Sequence, residues 1–183
     1  LINTSGVVAS DVSGVGTARN SLAAASYGGD KGAFAYGTTG SLTAVKNLVN
    51  SSGVIAADVT GVGTARHASS ATQYSTDKGI FGFGGIFSSP YYVGMTNLLS
   101  NSGVIGSDVS AVGAGRTYTA AASYGTSHAL GIFLHGAESF GAVTNLVNDS
   151  GVVASDTALT GTQRIGGAAA EYGTDKAISA FGN

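Results

Sequence analysis

The stretch RHASSATQYSTDKGIFGFGG, residues 66–85, decides the fold, because variants of it also begin at Arg19, Arg116 and Arg164. Eight residues after each arginine stands a tyrosine: Tyr27, Tyr74, Tyr124 and Tyr172. Eight residues before each stands an aspartate, Asp11, Asp58, Asp108 or Asp156, and five before that a glycine, Gly6, Gly53, Gly103 or Gly151. Successive arginines are 47, 50 and 48 residues apart, the size of one propeller blade, and the length variation falls in a single loop.

Within each unit the residues alternate like strands and not like helices. Small-residue stretches at 22–27, 120–124 and 168–172 predict a first strand, and aromatic-rich stretches at 32–36 and 79–83 a second. The segments 46–50, 96–100 and 144–148 predict a third, which turns through Ser-Gly into a fourth, such as 54–58. No segment carries sustained apolar spacing at i, i+3, i+4 and i+7, so little or no helix is expected. The expected fold is all-β: one domain, residues 1–183, a four-bladed β-propeller of four-stranded repeats. Its blades would cover about 20–66, 67–116, 117–164, and 165–183 combined with 1–19.

The closing blade follows from the phase of the ends. Leu1-Ile2-Asn3 matches Leu48-Val49-Asn50, and Ala180-Phe181-Gly182 matches Ala35-Tyr36-Gly37, so the two half units add to nearly one whole. Residues 1–11 are therefore expected to pair antiparallel beside the strand ending near Phe181, hiding both edges, and their deletion to destabilise the whole molecule. An open solenoid is the competing architecture; it is disfavoured because neither end departs from the repeat as a polar cap would. A chain that starts at Leu1 also reads as a piece of something longer.

The run from Arg66 to Gly85 resembles the kelch pattern: an arginine, a small-residue strand, a tyrosine, then an aromatic strand ending in glycines. The tryptophan usual in a kelch unit is absent, and the di-glycine occurs only at Gly84-Gly85. The motifs YGTDKAI, TNLV and GVGTAR are also similar to tandem repeats of marine phage structural or tail-fibre-like proteins. That resemblance implies an extracellular or virion-associated component.

Charged residues are only 10% of the chain and the formal net charge is −2, so no basic stripe exists for nucleic acid. No apolar run approaches the ~20 residues that span a bilayer, and membrane insertion is not expected. With no cysteine, disulfides and thiolate metal sites are excluded. Asp30-Lys31, Asp77-Lys78 and Asp175-Lys176 read as turns and not as calcium ligands, since each carboxylate is followed by a cation. His67, His128 and His135 lie at different phases of the repeat and share no metal-ligand spacing, so neither metal nor cofactor is expected.

The repeated Asp-x7-Arg pairs (Asp11/Arg19, Asp58/Arg66, Asp108/Arg116, Asp156/Arg164) and the four tyrosines read as structural, the guanidinium tying carbonyls of the Gly-Val-Gly loop. The alanine runs read as a crowded innermost strand. The off-pattern carboxylates Glu138, Asp149 and Glu171 have no visible catalytic partner, and no nucleophile elbow or phosphate loop occurs, so a non-catalytic protein is expected. Sequence variation concentrates in the loop after the second strand. Phe87, Tyr91 and Tyr92 there, with His135 and Phe140, are the candidate ligand contacts of a recognition or adhesion module for a glycan or protein surface. The alternative roles are an architectural block that meets neighbouring chains and, further off, a glycan-processing enzyme.

Overall fold

The structure, a computed structural model, describes residues 1–137 and 142–183. In the first unit β1 (Ala23–Tyr27) buries Ala23, Ala25 and Tyr27 and exposes Ala24 and Ser26, the period of two that a half-buried strand requires. It pairs antiparallel with β2 (Lys31–Ala35), which pairs with β3 (Lys46–Val49). The second unit repeats this with β4 (Ser70–Tyr74), β5 (Lys78–Gly82) and β6 (Thr96–Leu99). The third has β7 (Ala120–Tyr124), β8 (Leu130–Leu134), β9 (Val143–Val147) and the short β10 (Thr157–Ala158). The fourth has β11 (Ala168–Tyr172) and β12 (Lys176–Ala180). Among the described residues a single 3₁₀ turn, Thr126–His128, is the one helical element, so the chain is all-β.

The expected fourth strand is reduced to isolated bridges in the first two units and to the two-residue β10 in the third, for a reason common to all three. Between the bridges Lys46↔Val59 and Val49↔Ile55, β3 supplies two residues and the returning segment three. The same mismatch lies between Thr96↔Val109 and Leu99↔Ile105, and between Thr144↔Thr157 and Val147↔Val153. That is a one-residue β-bulge, which breaks the ladder and bends the returning segment. The bulge ends on the repeated aspartate.

The units pack in series: β1 against β4 and β5, β4 against β7 and β8, β7 against β11 and β12. Missing side chains permit the approach. A Cβ on Gly82 would lie 2.8 Å from the Phe133 ring of the next unit, and one on Gly79 would lie 3.0 Å from Ala25 of the preceding one. Tyr36 and Phe83, at the ends of β2 and β5, are fully buried. The guanidinium of Arg66 lies 3.9 Å over the Tyr36 ring and that of Arg116 lies 4.0 Å over Phe83, so the aromatic rings of the first two units are each roofed by the arginine that leads into the next. The strands β1, β4, β7 and β11 together line one polar cavity of about 430 Å³.

The ends depart from the expected clasp. Residues 1–9 form their own hairpin, bridged at Ile2↔Val8, and Leu1 lies against Gly53 of the first unit. Among the described residues β12 pairs with β11 and with nothing from 1–11. The N-terminal hairpin is thus held against the first unit by the same leucine-on-glycine contact that stacks Leu48 on Gly103.

Candidate functional site

Each of the first three units carries a polar node. Asn47 of β3 is buried and donates from Nδ2 to the Ala56 carbonyl (3.1 Å) and to Asp58 Oδ1 (2.8 Å). Asn97 makes the same pair of bonds to Gly106 and Asp108, and Asn145 to Ala154 and Asp156. The other carboxylate oxygen receives the loop that leads into the unit: Thr17 N–H and Oγ1 donate to Asp58 Oδ2 at 2.9 and 2.6 Å, and Ala114 N–H to Asp156 Oδ2 at 2.8 Å. No side chain fits beneath, since a Cβ on Gly16, Gly63 or Gly113 would come within 2.2, 2.4 or 2.1 Å of that carboxylate.

The hydrogen bonds from Thr17 and Asn47 hold the Asp58 carboxyl below its ordinary range. At Asp108 partial burial acts in the opposite direction, but the bonds from Thr64 and Asn97 outweigh it and its pKa is also lowered. The arginine at each node is not the one eight residues after the aspartate. Arg19 stands 4.0 Å from Asp58, and Arg116 3.5 Å from Asp156. The expected Asp-x7-Arg partnership is replaced because the chain leaves one unit between the two residues. Sequence reasoning passed over the asparagines, although a shared Asn ahead of each Leu-Val or Leu-Leu was the available signal.

The candidate aromatic loop follows β5 and is ordered by its own backbone. Gly85 bridges both His67 and Tyr92, Ile86 N–H donates to the Tyr91 carbonyl (2.8 Å), and Tyr91 N–H to Ser88 (2.7 Å). On this frame Phe87, Tyr91 and Tyr92 stay 58%, 59% and 43% exposed, with Phe87 also against the His67 ring at 5.4 Å. Beside them Tyr92, Val93 and Ser110 help line a groove of about 430 Å³. His135 does not join this group. It is the third unit's counterpart of Tyr36 and Phe83, half-buried, with Nε2 3.2 Å from Ser179 Oγ of the fourth unit. Phe140 and Glu138 lie outside the described residues.

A second cluster sits at the cavity lined by β1, β4, β7 and β11. The turn after Tyr124 is five residues long where the others have three, so Leu130 takes the place of Lys31 and His128 is displaced. Its Nδ1 meets Glu171 Oε2, to which Ser123 Oγ also donates at 2.8 Å. The off-pattern Glu171 thus has two partners that no local spacing announced. The serine hydroxyl is turned to the carboxylate and not to the imidazole, so a base-activated nucleophile is not assembled.

Among the described residues no three histidine, cysteine or carboxylate side chains gather where one cation could be held. Nor is any described helix long and apolar enough to cross a membrane. The chain matches no protein-family model and no curated protein.

Proposed function

We propose that the protein is a non-catalytic recognition module whose four units are blades of a propeller-type arc, and that its contact surface is the aromatic loop Phe87, Tyr91 and Tyr92. The observation that carries this reading is exposure combined with order. Three large rings stay in solvent on a loop whose backbone is hydrogen-bonded across both ends. A rigid aromatic platform loses little conformational entropy when it docks, and each ring offers a flat apolar face beside the polar groove edge at Ser110. That chemistry suits the apolar face of a sugar ring, with hydroxyls directed to Ser110 at the groove edge.

The test is glycan-array binding of the intact protein and of a Tyr91→Ala, Tyr92→Ala double variant. Loss of binding by roughly tenfold or more with unchanged strand content supports the reading. Unchanged binding removes the loop from the site, and binding lost instead in Glu171→Gln would move the site to the cavity lined by β1, β4, β7 and β11.

A further inference from the structure

Each contact between consecutive units is made by matched halves, and the two ends of the chain each carry one half without the other. Three hairpin glycines receive a leucine from the preceding hairpin: Leu1 at Gly53, Leu48 at Gly103 and Leu98 at Gly151. Gly6 of the N-terminal hairpin faces open space, while Leu146 of the last complete hairpin is 43% exposed.

The carboxylate node shows the same split. Gly16, Gly63 and Gly113 are covered by Asp58, Asp108 and Asp156, whereas their counterpart Gly161 has nothing within 4 Å. Asp11, the aspartate left over, is exposed and has no hydrogen-bond partner among the described residues. The aromatic layer follows suit. Gly37, Gly84 and Gly136 donate their N–H to the carbonyls of Arg66, Arg116 and Arg164, and the rings of Tyr36 and Phe83 lie under the first two arginines. Phe181 at the same position is 82% exposed. Finally, among the described residues β2, β5 and β8 each have a third strand on one edge, and β12 has none.

We propose that the chain associates head to tail with a second copy of itself, residues 1–11 of one copy supplying the third strand and the carboxylate that the other copy's fourth unit lacks. Leu146 then seats on the incoming Gly6, Asp11 covers Gly161 and bonds the Thr162 loop, and Arg19 roofs Phe181. The strand comes from outside because the N-terminal hairpin is held beside Gly53 of its own chain and makes no pairing with β12. A net charge of −2 puts no strong repulsion between copies. The interface is heterologous, so it closes into a ring or extends as a filament according to the rotation per copy.

The register inside the chain fixes the test. Gly32 faces Val49, Gly79 faces Leu99 and Gly131 faces Val147, which sets Ala177 opposite Ile2 of the incoming copy. Ile2→Cys and Ala177→Cys are made in separate full-length chains carrying tags of different mass, mixed, and mildly oxidised; Val152→Cys with Ala177→Cys measures random collision. The mixed 2–177 disulfide should form in clear excess over that control. Sedimentation mass of the cysteine-free protein should rise with concentration, and Leu146→Asp, with strand content unchanged, should weaken association roughly tenfold or more. No excess of the 2–177 species, or a mass that stays monomeric at every concentration, overturns the proposal. So does a chain carrying both cysteines that closes only within itself, which would mean a ring sealed by its own termini.

Discussion

His135 shows how one position can carry a unit's role with different chemistry. Its counterparts are Tyr36, Phe83 and Phe181, and all four adopt a positive φ, 65°, 59°, 55° and 63°, ahead of a glycine. This turns the ring into the layer between units, at a backbone cost that the roofing arginines offset at Tyr36 and Phe83. Burial, and then the charges of Arg164 and Arg116, push the His135 imidazole below its ordinary pKa. Above the unfolded pKa the ring is neutral in both states and costs nothing. As pH falls the unfolded chain takes up a proton that the folded one resists, so folding stability declines from about pH 6.5 down to the depressed folded value. Thermal melts of the protein should therefore fall between pH 7.5 and 5.5, and His135→Phe should flatten that slope. An unchanged slope in the variant would place the titration elsewhere. The aromatic identity at this position was legible in the sequence, but its burial between units was not, because a histidine outside a metal spacing looks like a surface residue until the arginines are placed.

At the scale of elements, the strands follow the repeat closely. The stretch read at 46–50 is β3 (Lys46–Val49), and that at 168–172 is β11 (Ala168–Tyr172). The fourth strand did not follow, since a β-bulge changes the pairing without changing the residue types on which strand propensity rests. The longer turn of the third unit was likewise concealed, because Ser127-His128 aligns with Asp-Lys in sequence while the register places Leu130 opposite Tyr124. The turns also show local strain. In the first unit Gly28 and Gly29 have φ of 61° and 83°, whereas Ser75 and Thr76 occupy the same two positions in the second at 52° and 64°. A β-branched residue is costly there, and Thr76→Gly is expected to stabilise the protein by about 1 kcal/mol in urea denaturation. Destabilisation would mean that the Thr76 side chain makes a contact worth more than its strained backbone.

Across the whole molecule, the units pack in series and leave one half of the contact at each end. The complementary phase of the termini was legible from Leu1-Ile2-Asn3 and Ala180-Phe181-Gly182. Where the halves meet was not, because phase records which strands match and says nothing of the rotation from one unit to the next. The distribution of burial follows the series: Tyr27 and Tyr74 are buried, while Tyr172 in the last unit is 52% exposed. Such an arrangement has stability that varies along the chain, lowest where neighbours are missing. Amide hydrogen exchange, followed by mass spectrometry on dilute and on concentrated protein, tests this most directly. In dilute protein β5 and β8 should exchange slowest, with residues 1–9 and β12 fast; in concentrated protein both ends should slow while β5 and β8 stay unchanged. Protection of residues 1–9 and β12 that equals that of β5 at every concentration would contradict the account, since only a ring closed by its own termini protects both ends without a partner.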